Sequence, residues 1–336
     1  MTNSTTEDAK TTGEGATGES QTSLIFKRFV RNKTSMVSLV LLVLIFGFSI
    51  SAIGLGPIPG WWHHDYFTPV SVVDSGRPTL SVIPEWLGGA GIALGEHPFG
   101  QTRIGVDYFA ATMRGVQNSF VVIVLLAGVA TVLGTVVGAI AGYYRGWVDA
   151  ILMRITDVFI VIPTIVVGAV VGRMTGGLGV SFLAIALGLV AWMGIARLVR
   201  AEFLSLRERE FVEAARVAGA SDARIIFKHI LPNAMGVVIV AASLIAAAAI
   251  LLETALSFLG YGIRAPESSL GLLVSQNQSA FATRPWLFWF PAFFIVTPAL
   301  LINFVGDGLR DAFDPRQKRF SIRRTKELPE HEGQRA

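Results

Sequence analysis

The sequence has no cysteine, only five histidines and little charge: Asp, Glu, Lys and Arg make up 15% of its 336 residues. Without cysteine there is no disulfide framework, no zinc-finger or iron–sulfur ligand set and no thiol nucleophile. The adjacent His63 and His64 lack the i, i+3 or i+4 spacing that puts two ligands on one helix face, so no metal site is expected. The shortage of charge excludes more. Soluble domains carry roughly 25% charged residues, and a chain that is 52% hydrophobic with mean hydropathy +0.57 has too little polar surface for a soluble enzyme of this length. The net charge of +4 would suggest nucleic acid in a soluble protein. Here the placement of the charges matters more than their sum, and no nucleic-acid partner is expected. The phosphate-binding pattern GxxxxGK[ST] is missing, so ATP is not expected on this chain.

What the sequence has instead is long uncharged runs. Crossing the hydrocarbon core takes about 20 apolar residues, and the runs at 34–62, 118–144, 174–196, 231–252 and 285–306 contain no Asp, Glu, Lys or Arg. A sixth, 158–172, reaches spanning length only by recruiting 151–157. That recruitment brings in Arg154 and Asp157, three residues apart on one helix face near one end, where they are expected to pair. The first run follows Lys27, Arg28, Arg31 and Lys33 and is too long for a cleaved signal peptide, so it reads as an uncleaved anchor.

These runs predict an all-α membrane protein with spans at 36–56, 118–142, 151–172, 178–197, 233–258 and 285–307. Around them lie a disordered tail at 1–23, a basic amphipathic lead-in at 24–35, a cap segment at 57–117, a polar loop at 198–232, a second outer loop at 259–284 and a tail at 308–336. With both termini cytoplasmic, 22 Lys and Arg fall on the inner side and six on the outer, the asymmetry that sets orientation in membranes. The cap is rich in Pro, Gly and aromatics, including Trp61, Trp62, Tyr66, Phe67, Trp86 and Phe99. Its aromatics suit the interface with lipid, or contact with a substrate or a delivery protein.

The polar loop is the most informative stretch. Residues 206–218 are helix formers with an apolar stripe at Leu206, Phe211, Ala214, Ala215 and Ala218, and Gly219 supplies a residue able to turn left-handed at the helix end. Ser221 is an expected N-cap for a second short helix at 222–229, and Pro232 is expected to mark the next element. Two short helices at an angle, tied directly to spans four and five, could pass on a push that a flexible loop would absorb. An amphipathic connector lying on lipid headgroups fits the same pattern.

Glu213, Ala214, Ala215, then Gly219, then His229, Ile230, Leu231 and Pro232 resemble the EAA loop of the membrane subunits of ATP-binding-cassette importers. The run from Gly219, Ala220 and Ser221 through RIIFKHILPN is similar to the dipeptide, oligopeptide and nickel branch, in particular its C-type subunit. FVRNKTSMVSLVLL, ETALSFLGYGI and GDGLRDAFDPR agree with it, so the resemblance covers about 26–318. It implies a type I importer permease fold that does no chemistry itself and holds no cofactor, with ATP and Mg on partner subunits. The implied partners are a homologous B-type permease in a heterodimer, two ATP-binding-cassette domains, an extracytoplasmic substrate-binding lipoprotein and membrane lipid. By resemblance Glu213, Ala214, Ala215, Gly219, Ala220, Ser221, His229 and Pro232 belong to the ATPase-coupling loop. The chain departs from the branch before span two, where the stretch from Phe99 through Gln101, Thr102, Arg103, Ile104 and Val106 keeps Gly100, Gly105 and Asp107 of an LGTD-x-x-GRD-like pattern but loses its first acidic residue and its usual Arg. It departs again at Leu270 and Gly271, where Trp-Gly is usual.

Glu253 and Asn303 are candidate pathway or gating residues, because a carboxylate at membrane depth is a functional hypothesis by default. For Glu253, near the outer end of its span, pairing or capping in the turn that follows is the plainer role. Pro163, Pro291 and Pro298 are expected to kink or end helices. The implied function is peptide import, with haem or nickel as alternative cargo. An ion-coupled carrier or channel would need several mid-membrane ionisable groups and usually a repeated hydropathy unit. An intramembrane enzyme would need paired acids or a Ser/His or metal cluster. Neither pattern is present, so no catalytic residue is expected.

Overall fold

The computed structural model describes residues 21–81, 91, 93–175 and 177–313, so Trp86 and, of the expected tails at 1–23 and 308–336, residues 1–20 and 314–336 lie outside it, while 21–23 and 308–313 are helical. Helix α1 (Gln21–Arg31) stops at Asn32, whose side chain accepts from the Ser35 N–H and so caps α2 (Lys33–Ile53). The first long helix therefore begins at Lys33 rather than 36, and it ends at Gly54 in a two-strand hairpin, β1 (Gly54–Leu55) and β2 (Ile58–Pro59). Along α2 the side chains of Val37, Val43 and Leu44 are 58%, 63% and 59% exposed, a surface suited to lipid or a second apolar protein.

The second long helix, α3 (Tyr108–Tyr144), starts well before the expected 118. Asp107 supplies the N-cap, accepting from the Ala110 N–H at 2.7 Å, and the polar first turns find partners that periodicity could not reveal. Arg114 and Asn118 bond Glu267, and Gln117 donates to the carbonyls of Ser49 and Gly54.

The expected third and fourth spans are both bent. Helices α4 (Gly146–Ile160) and α5 (Thr164–Thr175) meet at 84° across a break that contains Pro163, as expected of that proline. Helices α6 (Val180–Ala191) and α7 (Met193–Leu206) meet at 45°, and α7 runs beyond the expected boundary at 197. Beyond the short α11 (Leu270–Asn277), Pro291 and Pro298 lie inside α12 (Trp286–Phe313), which continues through them as helix. Among the described residues four helices are long and apolar enough to cross a membrane, or up to six if each bent pair is one span.

Packing centres on α3 and α10 (Leu231–Phe258). Gly134, Gly138 and Gly142 recur every fourth residue along α3 and let α7 approach at backbone distance. A Cβ there would lie 2.6 Å from Ile195, 2.9 Å from Val199 and 2.6 Å from Phe203. At one end of α3, Val199, Phe203, Val212, Ile225, Ile230 and Tyr143 form a buried cluster. At the other end the cap closes over Phe99, Tyr108, Phe109 and Leu287, with Phe99 stacked on Phe290 at 3.9 Å between ring centroids.

Asp157 does not pair with Arg154 as expected. Helix α7 runs beside α4 and brings Arg197 to the Asp157 carboxylate and Arg200 to Asp149, at 2.5 and 2.6 Å, so these ion pairs join two helices rather than one helix face.

Candidate functional site

The polar loop is shorter than its expected 198–232 and built differently. Residues 207–209 turn the chain from α7 into α8 (Glu210–Val217), which is followed by a sharp reversal and then by α9 (Asp222–Arg224). The reversal is a Schellman motif. The Ala220 N–H reaches the Ala215 carbonyl and the Gly219 N–H reaches that of Arg216, both at 3.0 Å, with Gly219 at φ 80°. Ser221 caps α9 by accepting from the Arg224 N–H at 3.4 Å, as expected of it.

The second short helix does not end at 229. After a π turn, Ile225–Ile230, it runs directly into α10, so that Asp222–Phe258 is one helix of 37 residues. Pro232 stands in the first turn of α10, where the next element was expected, but the preceding helix runs into it without a break. The π turn widens the backbone spiral one turn earlier, where the proline ring would otherwise crowd the carbonyl of residue 228. Movement of α9 therefore passes into α10 with no loop between them, and the hydrogen-bonded reversal at Gly219 ties α8 to α9.

The EAA residues divide by burial. Glu213, Ala214, Gly219 and Ser221 are exposed, and so is Pro232. Ala215 and Ala220 are half-buried against the Val212 cluster, making the apolar contact that accompanies a Schellman turn. His229 is also half-buried, and its carbonyl accepts from the Asn233 amide at 2.7 Å. The expected apolar stripe is shifted, because Val212 is the residue of α8 that is fully buried, while Phe211 is 39% and Val217 85% exposed. An exposed apolar rim beside Glu213 and Arg216 gives this short helix a face built for contact.

Three contacts absent from the sequence expectation hold the element in place. Arg207 donates to the Tyr143 carbonyl at the end of α3, the Tyr143 hydroxyl donates to Asp222 at 2.7 Å, and Arg145 pairs with Glu208 at 2.6 Å. The repeated charges of 207–210 were visible in the sequence, but nothing there pointed to the end of α3 as their partner.

Glu253 and Asn303 are not brought together with this element. Glu253 is fully buried near the cap end of α10, 2.6 Å from the Ser257 hydroxyl and 3.5 Å from that of Ser119. The Ser257 hydroxyl in turn accepts from the Ile263 N–H, so this carboxylate helps fix the turn after α10. Asn303 donates to Ala299 within its own helix.

Beside that turn, Glu267 receives both Arg114 nitrogens at 3.0 and 3.1 Å and the Asn118 amide at 3.0 Å. Burial pushes its carboxyl up, but the bonds from Arg114 and Asn118 outweigh burial and hold it below the usual glutamate range. Glu267 also lines a cavity of about 440 Å³ with Tyr66, Arg103, Ser268 and Asn277. Among the described residues no group of three or more His, Asp or Glu could hold a metal ion.

Comparison with known proteins places this geometry. Residues 134–319 match the family described as binding-protein-dependent transport system inner membrane component, and 20–70 match the N-terminal TM domain of oligopeptide transport permease C. The oligopeptide transport system permease protein OppC of Mycobacterium tuberculosis is 39% identical over 306 residues, 91% of this chain and 97% of its own. The Haemophilus influenzae protein of the same name is 37% identical over 292 residues, 87% of this chain and 88% of its own. A putative peptide permease of Brucella ovis is 36% identical over 291 residues, 86% and 89% of the two chains. A solved chain from the MetNI methionine ABC transporter in inward-facing conformations shares the fold with a TM-score of 0.51. It is 21% identical and covers 61% of this chain and 96% of its own. This multi-pass membrane protein belongs to the family of binding-protein-dependent transport system inner membrane components, with the type I ABC importer permease fold.

Proposed function

We propose that this chain is the C-type translocation subunit of an ATP-driven importer of di- or oligopeptides. It lines the substrate route with a homologous permease and receives its driving movement through α8. The observation that carries this reading is the build of α8: an exposed rim at Phe211, Ala214 and Val217 on a helix whose other face is locked into the core by Val212. Such an element accepts a partner surface and transmits its movement without deforming. The relatives named as oligopeptide and peptide permeases supply the cargo class.

In this reading the partners are a B-type permease, two ATP-binding-cassette domains beneath α8 and a substrate-delivering lipoprotein above the cap, with lipid around the apolar helices. ATP and Mg reside on the ATPase subunits and the chain itself catalyses nothing. Both termini are cytoplasmic. Closure of the ATPases rocks the permease pair between inward-facing and outward-facing arrangements by rigid-body movement of packed helices.

The test is to replace the exposed Ala214 with Trp, which changes the contact face and leaves the core untouched. The expected outcome is a normally inserted permease that loses its co-purifying ATPases and its peptide uptake in proteoliposomes. Wild-type uptake by the variant, or transport by the isolated chain, would overturn the assignment.

A further inference from the structure

The docking element is joined covalently to α7 and α10, yet its side-chain attachments run to a third helix. Residues on both sides of α8 converge on the end of α3 and the turn into α4. Before α8, Arg207 donates to the Tyr143 carbonyl and lies 5.6 Å over the Tyr143 ring, while Glu208 pairs with Arg145. After the Schellman reversal, Asp222 accepts from the Tyr143 hydroxyl at 2.7 Å. Tyr143 itself is 4% exposed and packs in the Val212 cluster. One residue is therefore held through its ring, its carbonyl and its hydroxyl by the two chain segments that flank α8.

We propose that Tyr143 is a positioning residue that makes α3 follow the docking element, its hydroxyl on Asp222 and its carbonyl under Arg207 forming a strut between the ATPase-facing helix and a span that is not adjacent to it in the chain. The inference rests on the coupling reading of α8 given above.

The geometry gives the strut a destination. Helix α3 has 37 residues and so is about 55 Å long at 1.5 Å per residue. Its other end carries Arg114 and Asn118 on Glu267, and Ser119 beside Glu253. The Gly134, Gly138 and Gly142 face sets α3 in close contact with α7, so the strut acts on a helix already packed beside the docking element. Displacement at the docking surface then reaches the cap through α3 as well as through α10. Tyrosine serves where phenylalanine would pack equally well, because only the hydroxyl reaches Asp222.

The experiment uses the complete transporter in proteoliposomes, with peptide uptake and ATP hydrolysis measured on the same preparation. Tyr143→Phe keeps the ring and removes the strut bond. It is expected to retain its ATPases and its hydrolysis while uptake per ATP falls about tenfold, the loss of one hydrogen bond to a charged group. Asp222→Ala should reproduce this, Asp222→Asn should keep the ratio because its amide oxygen still accepts from the hydroxyl, and the double variant Tyr143→Phe with Asp222→Ala should be no worse than either single one. Asp222 is exposed, so its variants decide the matter if Tyr143→Phe folds poorly. A wild-type ratio in Asp222→Ala, with Ala214→Trp still losing its ATPases, would sink the strut and leave the coupling reading intact. Normal uptake by Ala214→Trp would sink that reading instead.

Discussion

Single residues of the cap show where chemistry departs from pattern. Gln101 is fully buried, accepting from the Val73 N–H at 2.8 Å and donating to the Ser71 carbonyl at 3.0 Å. A carboxylate there could accept the first bond but not donate the second, so the amide suits the local loop. Asp107 is as heavily engaged, capping α3 while it binds the Trp62 indole N–H at 3.2 Å and the His97 ring at 2.6 Å. Glu267 yields a prediction with a definite sign. Its folded carboxyl is held low by Arg114 and Asn118, so the folded state binds its proton less readily than the unfolded chain does. The resulting stability is fully present above the ordinary glutamate value of about 4.3 and is lost as pH falls through the lowered one. Thermal unfolding in detergent should therefore show wild type above Glu267→Gln at pH 7, with the gap closing on acidification below pH about 4. A gap that stays constant with pH would mean that the carboxylate charge contributes nothing. From the sequence, Glu253 could be placed near the end of its span and given a structural role, because that needs only its position in the run. The engagement of Glu267 by Arg114 was not legible, since the two are 153 residues apart.

Among the elements, the sequence revealed apolar length well and helix junctions poorly. Long uncharged runs located α2, α3, α10 and α12, because an apolar stretch of that length has few other uses. The junctions depend on local bonds and on packing from elsewhere in the chain. Asp107 starts α3 early, the π turn carries α10 back through Pro232 to Asp222, and Val212 rather than Phe211 faces the core. The glycines at 134, 138 and 142 were in plain view, yet their spacing acquires meaning only once α7 is seen to lie against them. Replacing Gly138 with Ala places a methyl against the Ala196 carbonyl and 2.9 Å from Val199, in contact with backbone that has little room to move. The expected cost is on the order of 1–3 kcal/mol, read as a lower unfolding temperature of the purified permease. The same change at Gly128, whose added Cβ would meet nothing within 4 Å, should be neutral or slightly stabilising. Equal effects at the two sites would remove the close-packing account of α3 and α7.

At the scale of the whole molecule, α3 fixes which features share a side. Its first residue is held in the cap by Asp107 and its last turn is held to the docking element by Tyr143, so cap and α8 stand at opposite ends of one continuous helix. If α3 crosses the bilayer, they face opposite compartments. On the six-span topology expected from the sequence, the charge distribution then chooses between the two orientations, with 22 of the 28 Lys and Arg on the side of α8 and six on the side of the cap. The absence of cysteine, which removed so many functions at the outset, makes this arrangement directly measurable. Single cysteines introduced at Ser71 in the cap and Ser279 in the second outer loop, and at Ser205 and Ala223 beside α8, all replace exposed residues and require no background mutation. In right-side-out membrane vesicles a membrane-impermeant maleimide should label the first pair and spare the second, and in inside-out vesicles the result should reverse. Labelling of Ser71→Cys and Ser205→Cys from the same side would mean that α3 does not span the membrane. A clean inversion of the pattern would keep the fold but turn the molecule over, moving α8 out of reach of any cytoplasmic ATPase and removing the basis for coupling through it.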